Sequence, residues 1–482
     1  MLMMQEIVQK KREDIFCVFF VLLFFLSGCI SVGPDYIRKE PDVGQNWHAR
    51  LDSGLRSGNP DPEILARWWM TFQDNELSSL EKRAIKTNLD LKIALARIKE
   101  SRARRGISEA GFFPYLDSND SAKKYKISEN SGTGKIIKTY SLAFDTKWEL
   151  DIFGGVRRSV EAAQAELEAA QDGFYDVMVT LLAEVARNYI EVRAYQNRLA
   201  LLEKNIQVQK NICKLNFSKY QAGTIDRLPL EQSLYDLDQI RSRLSALQTG
   251  LEEAKNRIAV LLGESPGMLH EELSVCEPIP VPPKTIVVGV PADTLRQRPD
   301  VRKAERELAA QTAKIGVVTA DLYPRFRLNG TLGLESISTG NLLAYSSRMW
   351  SFGPSVSWNI FDAGAIRQNI RVQKTIQTQM MWKYKSTILK AQEEVENIIV
   401  AYSREQHRKE YLSKAVASAK RAFQLSMNQY KAGLAGFDGV LEAQRKLVSF
   451  EDDLAESEGN VAINLVRLYK AFGGGWRYLK QK

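Results

Sequence analysis

Residues 156–185 read VRRSVEAAQAELEAAQDGFYDVMVTLLAEV, and the run continues without proline to Tyr220, with Gly173 as its only glycine. Apolar residues recur at Val160, Ala163, Leu167, Ala170, Phe174, Val177 and Leu181. Steps of three and four alternate, which draws a heptad-like seam along one helix face. At about 1.5 Å per residue the predicted helix is roughly 95 Å long, far beyond what a globular domain needs. Tyr220-Gln-Ala-Gly223 places glycine where a helix stop is expected. A return helix is predicted from Leu228 to Leu262, with Pro229 tolerated in its first turn.

The arrangement occurs twice. Tyr430-Lys-Ala-Gly433 ends a second long run that starts near Ala365. Tyr220 and Tyr430, Gly223 and Gly433, Pro114 and Pro324, Trp148 and Trp358, and Gly263 and Gly473 are each 210 residues apart. Five anchors at one offset indicate duplication of a whole half-protein rather than two unrelated hairpins.

Between Tyr140 and Leu150 the period changes to two. Tyr140, Leu142, Phe144, Thr146, Trp148 and Leu150 alternate with Ser141, Ala143, Asp145, Lys147 and Glu149. In the second half Trp350, Phe352, Pro354, Val356, Trp358 and Ile360 form the corresponding set, and Phe326, Leu328, Leu332 and Leu334 mark a strand before it. The matching first-half stretch, near Tyr115 to Ile127, alternates poorly. About ten residues of apolar and polar alternation with aromatics near the ends is the pattern of a transmembrane β-strand, although a soluble sandwich strand alternates too. Each half thus reads strand, strand, long helix, glycine turn, return helix. Four strands do not close a water-filled barrel and an open edge does not face lipid, so the chain must oligomerise if the strands are in a bilayer.

The 482 residues are 44% hydrophobic and 26% charged, as in an ordinary folded protein. The net charge of +9 is scattered, with no aromatic-basic motif, which speaks against nucleic-acid binding. At the N-terminus Lys10, Lys11 and Arg12 precede an apolar run from Ile15 to Leu26, too short to span a bilayer and shaped like a secretory leader, although Glu13 and Asp14 are atypical of one. It ends in Leu26-Ser27-Gly28-Cys29. Those residues resemble a bacterial lipobox, which implies cleavage before Cys29 and its acylation; an uncleaved anchor with a chance cysteine is the alternative. Ile30 rather than aspartate follows, which by the same resemblance favours the outer membrane. Cys213 and Cys276 are expected as two unpaired thiols, a disulfide between them being the alternative.

In chain order, Gly33-Pro34-Asp35-Tyr36 and Trp68-Trp69 lead into a helical pattern over Leu77, Leu80, Ala84, Leu91, Ala94, Leu95 and Ile98, ended by Phe113-Pro114. Glu277 to Pro283 is a stiff proline-rich linker. Leu295-Arg296-Gln297-Arg298-Pro299-Asp300-Val301 begins a helix expected to run to about Ala320, with Asp293 or Thr294 capping a short turn before it.

Taken together, the lipobox, Gly33–Tyr36, Trp68-Trp69, Leu295–Val301 with Ala304-Glu305 and Ile315-Gly316, and the paired Tyr-x-Ala-Gly turns resemble the lipoprotein, NodT-type branch of TolC-like outer-membrane efflux factors. The resemblance covers nearly the whole mature chain. It implies a mainly α fold with transmembrane β: a homotrimer whose twelve-stranded outer-membrane barrel continues into a long periplasmic α-helical barrel. It implies a passive exit duct for small amphipathic or toxic compounds, docked on a periplasmic adaptor and an inner-membrane, proton-driven transporter of the RND type. The implied divisions are a signal peptide (1–28), a lipidated segment with the first helix (29–111), repeat 1 (112–263), a linker with an equatorial helix (264–321), repeat 2 (322–473) and a tail (474–482). It further implies adaptor contacts at Gly223, Thr224, Gly433 and Leu434. A periplasmic gate is expected at Tyr430, Asp438, Glu442 and Arg445, where Asp438 and Glu442, one turn apart, share a face. Ala435 stands where some relatives carry an arginine that latches the tip.

His48, His270 and His407 lack a second ligand at metal spacing, and no phosphate loop, dinucleotide fingerprint or nucleophile elbow is present. No enzyme, metal or cofactor is expected. An exit duct for secreted polypeptides and a non-pore coiled-coil lipoprotein are the other readings. The lipobox and Leu295–Val301 favour drug efflux over the first, and matched alternating strands speak against the second.

Overall fold

The computed structural model describes residues 31–38 and 43–481; Cys29 lies outside the described residues. Its main elements are α1 (Asn75–Thr87), α2 (Leu89–Ala110), β1 (Tyr115–Lys126), β2 (Ile136–Leu150), α3 (Gly155–Gln221), α4 (Arg227–Leu261), α5 (Pro291–Gln297), α6 (Pro299–Ala320), β3 (Arg325–Ser336), β4 (Arg348–Ser357), α7 (Ala365–Lys431) and α8 (Phe437–Ala471). Both bounds of α2, α3, α4 and β1 reappear 210 residues later in α6, α7, α8 and β3. The duplication therefore sets element boundaries as well as single anchors.

Two compact units divide the chain, each from three segments: residues 1–39, 98–170 and 304–384, and residues 40–97, 171–303 and 385–482. The first unit contains one antiparallel sheet in the order β1-β2-β3-β4. Phe144, Leu332 and Trp350 lie side by side across three strands, as do Leu150, Phe326 and Val356. Alternate residues carry the opposite, polar face, where Thr331 Oγ1 donates to Asp145 at 2.6 Å and Arg327 Nε to Glu149 at 3.1 Å. β1 fits this pattern least, because it sets Ser118 opposite Phe144 and Asp120 opposite Leu142. In the single chain Phe144, Leu332, Trp350, Phe352 and Val356 are exposed, and the outer edges of β1 and β4 are unpaired among the described residues. β4 stops at Ser357, short of the expected Ile360; Trp358 instead turns its Nε1 to the Leu322 carbonyl at 3.1 Å. Its repeat mate Trp148 makes the equivalent bond to Phe112 at 2.9 Å.

The second unit holds the large core, in which Trp68, Trp69, Leu77, Leu80, Met178, Leu182, Tyr189, Ile258, Leu262, Val395 and Leu465 pack together. Here α3 is buried well beyond one seam: Met178, Leu182, Val185, Ala186, Tyr189 and Ile190 all lack exposure. The single helix expected from Leu77 to Ile98 is broken at Asn88. The Asn88 side chain accepts from Leu91 N–H at 2.9 Å, capping α2, and donates to Leu261 O at 2.8 Å. Its repeat mate Arg298 donates to Ala471 O at 2.8 Å. One position in each half thus satisfies a carbonyl left open at the end of a return helix. Arg298 also pairs with Asp300 and Glu394, both at 2.8 Å or less. The expected cap by Asp293 or Thr294 is not observed, because α5 already begins at Pro291 behind Val290; Asp300 Oδ1 accepts from Val301 N–H at the start of α6. Cys213 and Cys276 are free thiols, the first buried and the second exposed.

Glu81 on α1 is fully buried, and neither carboxylate oxygen has a partner among the described residues. Burial pushes its acid constant well above the usual carboxylate range. A carboxyl raised in this way adds no charge-related cost below its unfolded value and destabilises progressively as pH rises from that value through its folded one. Glu81→Met is therefore expected to gain about 1–3 kcal/mol over wild type at alkaline pH, and to flatten the decline in stability between acid and alkaline conditions. Thermal unfolding followed by circular dichroism checks this; parallel pH profiles for the two proteins would count against it.

Candidate functional site

Both helical hairpins turn through the same backbone device. α3 ends with Gly223 at φ 69°, Gly223 N–H bonding Tyr220 O at 2.9 Å and Thr224 N–H bonding Lys219 O at 2.9 Å. α7 ends with Gly433 at φ 73°, with bonds to Tyr430 O at 3.2 Å and from Leu434 N–H to Gln429 O at 2.9 Å. The nested pair of bonds is a Schellman motif, whose left-handed residue costs any side chain but glycine about 1–2 kcal/mol. Space is not the constraint, since a Cβ on Gly223 or Gly433 meets nothing within 4 Å. Thr224 and Leu434, next in each turn, are exposed.

Two joints tie the hairpins together behind the turns. Tyr430 is buried beside Ile212, Phe437, Val440 and Leu441. Its hydroxyl donates to Asn216 Oδ1 at 2.8 Å. Lys219 Nζ donates to the Tyr430 carbonyl at 2.8 Å and lies 4.0 Å from the ring centroid. Asn216 and Lys219 on α3 thereby hold the C-terminal turn of α7.

The second joint couples α8 to α4. Arg445 Nη2 donates to Asp236 Oδ1 at 2.7 Å and to Tyr235 OH at 2.8 Å, and Nε reaches the same Asp236 oxygen at 3.2 Å. The Asp236 side chain is 6% exposed and that of Arg445 43%. The hydrogen bond to Asp236 is the leading cause that raises the guanidinium's acid constant, so it stays charged throughout. Asp438 and Glu442 lie apart from this joint, exposed on α8. Glu442 faces Lys446 at 3.9 Å, too loose and solvated to neutralise it.

The structure thus gathers Tyr430 and Arg445 into joints and leaves Asp438 and Glu442 in solvent. Their partners Asn216, Lys219, Tyr235 and Asp236 escaped sequence reasoning. A signal for them existed: Tyr235 and Arg445 are repeat mates, 210 residues apart. Return helices that stand side by side in register bring equivalent positions into contact. Among the described residues no group of three or more His, Cys, Asp or Glu is placed to hold a metal ion, and no helix is long and apolar enough to cross a membrane.

The model of the family described as outer membrane efflux protein matches residues 80–264 and 290–474, two segments again offset by 210. The chain is 32% identical to nodulation protein T of Rhizobium leguminosarum bv. trifolii, covering 95% of this chain and 96% of that protein. It is 27% identical to the toluene efflux pump outer membrane protein TtgF of Pseudomonas putida, covering 94% and 95%. The solved outer-membrane channel OprN superposes with a TM-score of 0.86 at 33% identity, over 93% of this chain and all of that one. The chain belongs to the outer membrane efflux protein family, with the TolC-like architecture. It acts in the outer membrane as the channel component of an efflux pump.

Proposed function

We propose that three copies close a twelve-stranded barrel in the outer membrane, extended by their long helices into a periplasmic duct for small amphipathic or toxic compounds. The observation that carries this is the sheet of β1 to β4. It has an uncovered apolar face beside a hydrogen-bonded polar one, and two unpaired edges. Edge-to-edge closure of three such sheets satisfies every backbone group and turns the apolar face to lipid. Relatives named for toluene efflux support the cargo class. Planar-bilayer recordings should give discrete conductance steps, and cross-linking should trap trimers; a protein that forms neither is not this duct.

The lipid anchor at Cys29 belongs to the same reading. Ser31, two residues on, packs against Gly154 in the turn between β2 and α3, and Val32 N–H bonds Phe153 O at 3.1 Å, at the α3 end of the sheet. Wild-type cells should incorporate radioactive palmitate into the protein, and Cys29→Ala should not. Equal labelling of both would remove the anchor.

The turns at Gly223, Thr224, Gly433 and Leu434 form the docking face for a periplasmic adaptor, which links the duct to a proton-driven inner-membrane transporter. Their open surroundings and exposed Leu434 support this. Gly433→Trp should abolish resistance while trimers stay in the membrane, because the strain of about 1–2 kcal/mol is too small to unfold the protein but the bulk fills the contact. Normal resistance in that variant excludes Gly433 from the contact. The gate is the pair of joints at Tyr430 and Arg445 together with the acids Asp438 and Glu442.

A further inference from the structure

The β1–β2 hairpin is densely charged at the end of the sheet remote from α2 and α3. Lys123, Lys124 and Lys126 close β1, and Lys135 and Lys138 stand at the start of β2. Of these lysines only Lys126 has an ion-pair partner among the described residues, Glu129 at 3.1 Å.

The register sorts them by face. Lys124 stands directly opposite Lys138, and the next pairs on that face are Ala122 with Tyr140, Asp120 with Leu142 and Ser118 with Phe144. Both lysines therefore belong to the side that carries Phe144, Leu332 and Trp350, and both are exposed. Lys123 falls on the opposite, polar side. Like charges directly opposite each other destabilise a strand pair, so this pair gains from an anion shared by the two ammonium groups. The next carboxylate on this face of β1 is Asp120, about 14 Å along the strand from Lys124 and too far to serve.

Position along the strand identifies the anion. Tyr140 to Leu150 spans about 34 Å of β2, or roughly 26 Å along the axis of a barrel whose strands tilt by about 40°. That matches the lipid-facing band of outer-membrane barrels, roughly 25 Å tall, with Tyr140 at the rim where an aromatic girdle belongs. Lys124 and Lys138 lie one row beyond Tyr140, about 7 Å further along the strand, on the lipid side of the wall.

We infer that Lys124 and Lys138 together hold the phosphate of a lipid headgroup in the outer leaflet of the outer membrane. The inference rests on the barrel reading above and adds a ligand to it. Lysines beside a bilayer are drawn to anionic lipid, and here the cross-strand pairing brings two of them to one headgroup. A lipid held there screens the repulsion within the pair and seats the hairpin at the bilayer surface.

Bisphosphorylated lipid A is the probe, with the same lipid stripped of its phosphates as the control. Native mass spectrometry of the full-length protein in detergent should show saturable binding of the phosphorylated form, tighter by roughly tenfold or more than of the stripped form. Lys124→Gln/Lys138→Gln should abolish that preference and Lys124→Arg/Lys138→Arg should keep it. Lys123→Gln/Lys135→Gln, which removes equal charge from the same hairpin, should leave it unchanged. Binding by the Lys124→Gln/Lys138→Gln variant equal to that of wild type, or equal binding of the two lipid forms, overturns the proposal. So does displacement of the lipid by equimolar inorganic phosphate, which would mark a simple anion site. Trimers and conductance steps are read on the same preparation. If both are present without the lipid preference, this inference fails alone; if both are absent, the barrel reading falls and the inference with it.

Discussion

Single-channel recordings of Asp236→Ala are expected to show a channel that is open far more of the time than wild type. The reason lies in what Asp236 does: it is the buried acceptor for two bonds from Arg445, across the boundary between the first hairpin and the second. Hydrogen bonds to charged groups contribute about 1.5–3 kcal/mol each. Arg445 is nearly half exposed, so the lower end applies and the joint as a whole is worth about 2 kcal/mol. A bias of that size moves a two-state equilibrium by roughly thirtyfold. Arg445→Ala should open the channel at least as strongly, because it leaves the Asp236 carboxylate buried without a partner until the hairpins separate. The double variant should add little to either single change, since all three remove one interaction. Tyr430→Phe, which loses only the bond to Asn216, should give a smaller effect of the same sign. Wild-type conductance and opening frequency in both Asp236→Ala and Arg445→Ala would show that the joint is structural and the gate lies elsewhere.

The second large effect concerns ion selectivity. Asp438 and Glu442 stand one turn apart and exposed at the start of α8. Around a threefold axis they would place six carboxylates in two rings, which attract cations and repel anions. Loss of both in Asp438→Ala/Glu442→Ala should lower the cation-to-anion permeability ratio several-fold at low salt and relieve block by divalent cations. The two acids should not contribute equally. Glu442 has Lys446 at 3.9 Å, whereas Asp438 has no cation that close among the described residues. Asp438→Ala alone should therefore account for most of the change. Screening sharpens the test: the Debye length falls from about 10 Å at 0.1 M salt to about 3 Å at 1 M, so the difference from wild type should shrink as salt is raised. Should these acids merely favour the helix N-terminus through its dipole, selectivity and block would be unchanged at every salt concentration. Because this test reads selectivity and the first reads opening, either half of the gate can fail alone.

Much of this protein is legible in one dimension because its elements are long and its halves are copies. A heptad-like seam from Val160 to Leu181 in a proline-free run, a glycine at each stop and one offset of 210 placed the ends of α3, α4 and α7 to within about a residue. Glycine marks those ends because the left-handed turn is a local backbone demand, independent of what packs nearby. Alternation likewise marked β2, β3 and β4, since one face of a strand is decided by its own residues. Other features depend on which surfaces meet. Asn88 breaks the first helical run because its amide is needed at the Leu261 carbonyl, 173 residues away. Its repeat mate Arg298 reaches Ala471 across the same separation, which explains an Arg-Pro-Asp segment that local propensity reads only as a helix start. Beyond the 210-residue offset that relates Tyr235 to Arg445, Asp236 and Asn216 carry no periodic signal of partnership, because a side-chain contact between two helices is set by their lateral register rather than by either sequence. That register, together with the burial of Gln209 and Gln444 between the helices, was decided by tertiary packing alone.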